Sequence, residues 1–254
     1  SQKERTEITF AIEGRHSKPE RKTIAFDWKT LSWPQPRTRS TIPGLTVYAR
    51  VDGSFAVWDP AQQLASADTT IRHQSVFTSE EVWNGLQGRI EGLIRDWVRW
   101  QHTPSKSAFA TFTRVLAHLS PPDLGQLEPG EPTRIPDDPR DIPTIRHSYG
   151  EVPIVYESAG VRRIITLVYL IVWAWHEHVV AAELSRSEPQ RRMVILVDEM
   201  EAHLHPRWQR SVLPALLSVD EMLATELKAQ YIVATHSPLV MASAETIFDS
   251  ETDS

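Results

Sequence analysis

The chain has 254 residues, of which 41% are hydrophobic and 24% charged, so it can bury a sizeable core as one large domain or two small ones. Its formal net charge of -6 excludes a bulk basic field that would draw it onto nucleic acid, and leaves a local basic patch open. The lack of cysteine excludes disulfides, thiolate metal sites and cysteine nucleophiles, and it suits a reducing compartment.

The first sixty residues have the pattern of β-structure. The N-terminus, SQKERTEITF, is charged and lacks the apolar core of a signal peptide. Short runs rich in aromatic and β-branched residues then predict strands at 22–28, 44–51 and 54–59. Asp52 and Gly53 separate the last two runs, and glycine at this place favours a tight hairpin turn. We therefore expect an antiparallel β region over residues 1–60.

The sequence of residues 61–145 predicts a helical insertion that ends in a proline-rich connector. Thr78 and Glu81 have the spacing of a capping box. Apolar residues at helical spacing then predict helices within 88–101 and 105–119. Seven prolines between residues 121 and 143 exclude a regular helix, and they leave open either a mobile loop or a rigid extended connection.

Residues 146–254 alternate helix and strand, which is typical of an α/β domain. The predicted elements are a long helix from about Ser158 to Glu183, a strand ending at Asp198, a helix from about Pro206 and a strand over 231–234. The uncharged apolar centre of the long helix, Ile164–Trp175, is shorter than the ~20 residues that span a bilayer. We expect a soluble, cytoplasmic protein with no membrane partner.

An apolar run, Met193–Val197, leads directly into two adjacent acids, Asp198 and Glu199. Such a run predicts a strand buried on both faces, and ligands of open α/β sheets bind at the carboxyl ends of strands. One carboxylate can hold Mg²⁺ beside a polyphosphate, while its neighbour orients a water for attack on the terminal phosphate. The alternative is a pair of solvated loop acids.

The start of the long helix has features of an anion site. Ser158 is a good N-cap, and Gly160 allows close approach to the backbone. Arg162 and Arg163 lie in the first turn, where the helix dipole disfavours cations, so a docked phosphate would explain them. In the alternative interpretation both arginines face solvent or pair with Glu157.

The segments ILVDEMEAHLHPRWQ and YIVATHSPLV resemble the ATPase core of the ABC superfamily, in particular its SMC-like, RecF-like and OLD-type members that are described as AAA proteins. YESAGVRRIITLVYL resembles the signature helix of these ATPases. The pattern spans about Tyr149–Ala244. The fold that the resemblance implies is an α/β ATPase head with a mostly parallel sheet flanked by helices, an N-terminal antiparallel β region and a helical insertion. Residues 146–254 would carry the signature, Walker B, D-loop and switch segments.

The resemblance also implies roles for individual residues. Asp198 matches the Walker B carboxylate that supports Mg²⁺, Glu199 the catalytic base and His236 the switch histidine that senses the γ-phosphate. The signature positions, which contact the nucleotide held by a second subunit, are Ser158, Ala159 and Gly160, and Arg162 beside them is a further candidate for nucleotide binding. The D-loop positions, which lie across the dimer interface, are Ala202, His203, Leu204 and His205.

Three departures from the family pattern stand out. Met200 replaces the usual proline and Ala159 replaces the first signature glycine, but neither position supplies a side chain to the chemistry. No G-x-x-x-x-G-K-[ST] phosphate loop occurs in the chain. We therefore expect either an internal piece of a longer ATPase or a degenerate homologue that keeps only the dimer surface.

Two functions follow from these patterns. The first is an ATPase that uses ATP and Mg²⁺, forms a homodimer on binding ATP, and acts on DNA or on a cognate nuclease or other effector, as in DNA repair or anti-phage defence. The second is a non-catalytic module with the same fold that mediates dimerisation or partner binding. The first predicts hydrolysis in the complete protein and no activity of this chain alone.

Overall fold

The computed structural model describes residues 6–14, 17–29, 44–61, 74–105, 107–120, 125–245 and 247–248. The chain divides into two compact units, residues 1–43 and 44–254. The first unit contains an antiparallel hairpin of β1 (Glu7–Gly14) and β2 (Ser17–Ala25). The predicted division at residues 60 and 145 stays a prediction.

The second unit contains ten strands and eight α-helices among the residues described. The strands are β3 (Leu45–Ala49), β4 (Phe55–Trp58), β5 (Gln74–Phe77), β6 (Glu128–Pro129), β7 (Thr133–Ile135), β8 (Asp138–Ile142), β9 (Thr144–His147), β10 (Gly150–Pro153), β11 (Arg192–Val197) and β12 (Lys228–Val233). The helices are α1 (Ser79–Asn84), α2 (Leu93–His102), α3 (Ser107–His118), α4 (Ala159–Leu184), α5 (Pro206–Gln209), α6 (Val212–Leu216), α7 (Val219–Leu223) and α8 (Pro238–Ala244).

The central sheet has five strands in the order β12-β11-β3-β4-β5. β11 pairs in parallel with both β12 and β3, whereas β4 pairs antiparallel with β3 and β5. The sheet is therefore mixed, and the α/β class with helices flanking a central sheet is confirmed. The parallel part brings the carboxyl ends of β3, β11 and β12 to one edge.

Two local predictions in the second unit are confirmed. Asp52 and Gly53 form the turn between β3 and β4, with Gly53 at a φ of 78° that a side chain would disfavour. Thr78 caps α1, and both bonds of its capping box with Glu81 are present.

Helix α4 is the core of the second unit. All residues from Ile164 to Ala174 are buried, and the helix packs against β3 and α3. Its length and hydropathy would suit a membrane span, but 67% of its most apolar stretch is buried inside the fold. An all-round apolar helix of this kind is expected at the centre of a domain, so we assign α4 as a core helix.

Strand β11 is buried more on one face than on the other. Met193, Ile195 and Val197 are buried, whereas Val194 and Leu196 are only half-buried. The expectation of burial on both faces is thus only partly met. The reason is the two-residue period of a strand, which directs alternate side chains to opposite faces of the sheet.

The predicted connector forms two small sheets. β7 and β8 pair with each other, while β10, β9 and β6 form a three-stranded antiparallel sheet. No helix occurs over residues 125–145, which agrees with the sequence expectation. The hydrogen-bonded pairing makes the described part an extended connection.

A buried pair fixes α4 to the neighbouring strands. Nδ1 of His178 lies 2.7 Å from Oδ1 of Asp59, and the backbone N–H of Gln190 donates to Nε2 of His178 at 2.8 Å. Because Nε2 accepts a hydrogen bond, Nδ1 carries the proton and donates to Asp59. His178 therefore links the end of β4, the C-terminal half of α4 and the segment before β11.

A second buried acid gives a testable pH dependence. Asp96 is fully buried, accepts a hydrogen bond from the Tyr169 hydroxyl at 2.8 Å and pairs with Arg99 at 2.5 Å. Burial raises the pKa of Asp96 to about 6, although the hydrogen bond from Tyr169 opposes the shift.

We expect the Asp96 carboxyl to make unfolding pH-dependent. Its stabilising contribution is fully present below its unfolded pKa of about 4 and is lost as the pH rises through about 6. The loss amounts to roughly 3 kcal/mol. Asp96→Asn should lack this loss. Between pH 4 and 7 its free energy of unfolding, measured with urea, should fall by roughly 3 kcal/mol less than that of the wild type. Parallel curves for the two proteins would contradict the assignment.

Candidate functional site

The acidic tip of β11 lies between the tips of two neighbouring strands. The backbone N–H of Asp198 donates to the Ala49 carbonyl of β3 at 3.0 Å, and the N–H of Ala234 donates to the Val197 carbonyl at 2.9 Å. Asp198 and Glu199 are both half-buried, and no described side chain donates a hydrogen bond to either carboxylate. The two acids therefore stand at the carboxyl edge of the parallel strands, as the sequence predicts.

Residues 198–205, which we call the acidic loop, turn sharply at two positions. Glu199 has a φ of 44° and His203 a φ of 65°, values in the left-handed region that non-glycine residues rarely adopt. The turns are closed by backbone hydrogen bonds from Ala202 to the Glu199 carbonyl and from Leu204 to the Glu201 carbonyl. Each such residue costs on the order of 1–3 kcal/mol, and backbone strain of this kind clusters at functional sites.

Arg163 holds the acidic tip in place. Its guanidinium donates to the carbonyls of Arg50 and Asp198 at 2.5 and 2.8 Å, so it connects the end of β3 with the end of β11. Burial lowers the pKa of Arg163 from its usual value, while the nearby Asp198 opposes the shift. Arg163 therefore does not pair with Glu157, and backbone carbonyls accept hydrogen bonds from both terminal nitrogens of its guanidinium.

The start of α4 packs against the acidic loop. Ser158 is the N-cap, and its hydroxyl accepts a hydrogen bond from the Val161 N–H at 3.3 Å. A Cβ on Gly160 would come within 2.7 Å of the His203 carbonyl oxygen, so only glycine permits this approach. The predicted signature and D-loop residues thus meet at Gly160 and His203.

The residue before this helix is fixed by a partner that sequence reasoning missed. Oε1 of Glu157 lies 2.6 Å from Nε2 of His147 on β9, and both side chains are mostly buried. The exposed Tyr149 ring stacks on His147 with a centroid distance of 4.9 Å. The position of Ser158 is therefore set by β9 as well as by α4.

A cleft of about 480 Å³ opens beside this helix start. It is bordered by the β3–β4 turn, by α1, and by Ala159, Arg162 and His203. Asp52 and Glu80 also border it, so the charge of its wall is mixed. Arg162 is exposed here and differs in this respect from the half-buried Arg163.

The residues 235–237, which we call the switch loop, are joined to the acidic loop through Glu201. Its carboxylate accepts hydrogen bonds from the Thr235 hydroxyl and from the His236 N–H, each at 2.6 Å. Burial would raise the pKa of Glu201, but these hydrogen bonds outweigh it and hold the pKa below its usual value. The His236 ring itself is exposed.

The structure thus brings most of the predicted residues together. Asp198, Glu199 and His236 lie at the ends of adjacent strands, and the backbone N–H of Met200 donates to the Ala234 carbonyl at 3.4 Å. His205 lies at the end of the acidic loop and caps α5, where its Nδ1 accepts from the Arg207 N–H. The chemical roles of all these residues stay predictions.

Comparison with known proteins supplies the family. The family model described as "AAA domain, putative AbiEii toxin, Type IV TA system" matches residues 95–242. The retron Vc95 probable ATPase of Vibrio cholerae serotype O1 biovar El Tor is 31% identical over 101 residues, which are 39% of this chain and 18% of that protein. The retron Ec83 probable ATPase of Escherichia coli is 43% identical over 47 residues, 18% of this chain and 8% of that protein. The chain therefore spans only a small part of the relatives it matches.

Solved SMC head domains are weakly similar in structure. The Smc head domain of Pyrococcus furiosus, with an extended coiled coil and bound to the C-terminal domain of ScpA, has 19% identity and a TM-score of 0.33, with 55% of this chain and 30% of that chain covered. The SMC head domain from Thermotoga maritima has 14% identity and a TM-score of 0.32, with 75% of this chain and 61% of that chain covered.

The family match covers more than half of the chain and includes α4, the acidic loop and the switch loop. It agrees with the resemblance to ABC and SMC-like ATPases that the motifs carry. The chain belongs to the AAA domain family described as putative AbiEii toxin, type IV TA system.

Proposed function

We propose that this chain supplies the hydrolytic face of an ATPase that dimerises around ATP. The observation that carries the proposal is the packing of three separate segments into one site. The acidic loop contacts the start of α4 where Gly160 meets His203, and it contacts the switch loop where Glu201 binds the His236 N–H. The three motifs are far apart in sequence, and a common site explains why they meet.

The donor set at the acidic tip fits one magnesium ion bound with a nucleotide. Among the described residues no three His, Cys, Asp or Glu side chains form a metal cage. Mg²⁺ commonly takes only one or two protein carboxylates and completes its shell with phosphate oxygens and water. Asp198 alone is therefore a sufficient protein ligand, and ATP with Mg²⁺ would supply the reactive phosphate and its charge neutralisation.

Two other side chains would act on the water and the phosphate. Glu199 directly follows Asp198 and has a left-handed φ of 44°. It would accept a proton from the attacking water and orient it in line with the terminal phosphate. His236, exposed at the tip of the next strand, would donate a hydrogen bond to the γ-phosphate.

The signature residues would complete the site of a second subunit. Ser158, Ala159 and Arg162 are all exposed at the start of α4, where backbone N–H groups and the helix dipole favour an anion. The D-loop residues Ala202–His205 would lie across the same interface. By the family resemblance we also propose that the dimer is cytoplasmic and acts on DNA or on a cognate nuclease or other effector.

A non-catalytic interaction module is the second candidate. On this candidate these 254 residues, which contain no G-x-x-x-x-G-K-[ST] phosphate loop, do not bind nucleotide. On this interpretation the three segments only build an interface between subunits. Nucleotide binding distinguishes the two candidates.

Calorimetric titration with Mg-ATP tests the proposal. The 254-residue chain should bind weakly, with a Kd of about 1 mM or above, because backbone N–H groups of a phosphate loop normally make most of the phosphate contacts. The full-length protein should bind with a Kd on the order of 1–10 μM. No binding by the full-length protein would favour the interaction module. Micromolar binding by the chain alone would contradict our account of the phosphate contacts.

A further inference from the structure

We propose that Glu201 is a positioning residue that transmits the geometry of the acidic loop to His236, with Gln209 as a second brace. The inference rests on the proposed function and adds to it a route by which contact with a second subunit would control hydrolysis. Both residues lie in the segment that resembles the family, but the resemblance assigns a chemical role to neither.

Both carboxylate oxygens of Glu201 accept hydrogen bonds from the switch loop. One carboxylate oxygen accepts from the Thr235 hydroxyl and the other from the His236 N–H, each at 2.6 Å. Such hydrogen bonds to an ionised acceptor are about twice as strong as neutral ones. The Thr235 hydroxyl in turn accepts from the Ser237 N–H at 3.1 Å, so the whole switch loop is organised around this carboxylate.

Gln209 forms a parallel connection between the same two loops. Its Nε2 donates to the Leu204 carbonyl of the acidic loop at 2.8 Å, and its Oε1 accepts from the Ser237 hydroxyl at 2.7 Å. The Ser237 hydroxyl also accepts from the Leu239 and Val240 N–H groups as the N-cap of α8. Two side chains thus join the acidic loop to both ends of the switch loop.

The acidic loop is also the segment that faces the start of α4. Its His203 carbonyl touches Gly160, and its Leu204 N–H donates to the Glu201 carbonyl at 2.9 Å. A subunit that displaces His203 therefore moves Glu201 through one tight turn, and Glu201 moves the backbone of His236. Without this connection, the interface and the switch histidine would adjust independently.

The test compares variants of Glu201 in the full-length protein under steady-state ATP turnover. Glu201→Ala removes both contacts, and we expect kcat to fall about 30-fold while the KM for ATP changes by less than about threefold. Glu201→Gln should stay within about threefold of wild type, because its amide can accept from the His236 N–H and donate to the Thr235 oxygen. In the Glu201→Ala background, adding Thr235→Val should lower kcat little further, because the two residues share one hydrogen bond.

Two further measurements separate positioning from simple loss of stability. Hydrogen exchange at the His236 N–H should become at least about tenfold faster in Glu201→Ala and not in Glu201→Gln. Glu226→Ala is the matched control: this exposed carboxylate pairs with Arg191 at 3.1 Å, and its removal should change neither kcat nor exchange at His236.

Each outcome decides between the alternatives. Wild-type full-length protein without ATP turnover would reject the proposed function, and the exchange data would then test the connection alone. If the wild type turns over ATP and Glu201→Ala keeps its kcat, the positioning role is wrong. A fall in kcat that Glu201→Gln shares equally, or unchanged exchange at His236, would also overturn it.

Discussion

Replacement of Glu199 by glutamine in the full-length protein is expected to abolish ATP hydrolysis while ATP stays bound. The amide keeps the shape of the side chain but cannot accept a proton from the attacking water. A positioned general base contributes about 10²–10⁴-fold, so we expect kcat to fall at least 100-fold. Turnover can be followed by phosphate release and binding by calorimetry.

The bound nucleotide should trap a dimer in this variant, because Ser158 and Gly160 would complete the site of the opposite subunit. Glu226→Gln, which changes an exposed carboxylate to the same amide, should hydrolyse ATP normally. Turnover of Glu199→Gln within a few-fold of wild type would remove Glu199 from the role of base. Loss of ATP binding would instead indicate a structural role for Glu199, whose φ of 44° lies in the left-handed region.

Ser158→Arg is expected to block closure of the dimer without unfolding the chain. Ser158 is exposed at the start of α4 and its hydroxyl caps the helix. The lost cap costs about 1 kcal/mol, which the buried body of α4 should tolerate. The long arginine side chain would instead occupy the space proposed for the γ-phosphate of the opposite subunit.

Size-exclusion chromatography with ATP, in the Glu199→Gln background, measures this effect. Ser158→Ala is the control, because it removes the cap without adding bulk and should still dimerise. A dimer peak that Ser158→Arg leaves unchanged would show that the start of α4 is not the site in trans. The assignment of Ser158 to Gly160 as signature residues would then be wrong.

The parts of the fold that the sequence predicts are those governed by local rules. α4 was expected from about Ser158 to Glu183 and runs from Ala159 to Leu184, because its apolar residues and its serine cap lie close together in the chain. The turn at Gly53 and the cap of α1 follow from the same kind of short-range chemistry.

The short strands of the connector show the limit of what its prolines predict. Pro129, Pro139 and Pro153 lie in β6, β8 and β10, all of which are edge strands of their small sheets. Proline lacks the N–H that a central strand must donate and is tolerated only at edges. The sequence excludes a helix there, but strands of two to five residues are too short to leave a period.

The contacts that organise the site escaped prediction because they join distant residues. Glu201 and Thr235 are 34 positions apart, and Arg163 and Arg50 are 113 apart. Arg163 illustrates the point, since the sequence offered an anion or solvent as its partner and the fold supplied backbone carbonyls instead. Only the register of β3 beside β11 brings those carbonyls within reach.

Helix α4 and strand β11 are fastened to each other at two widely separated places. Near the start of the helix, Arg163 donates a hydrogen bond to the Asp198 carbonyl. Towards its end, His178 accepts a hydrogen bond from the N–H of Gln190, just before the strand begins. With 26 residues, the helix is about 39 Å long. If the helix slid along the strand, one or both of these hydrogen bonds would break. The helix and the strand should therefore move as one rigid unit. A rotation that a partner imposes at Ser158 would then be transmitted along the helix to Leu184 at its other end.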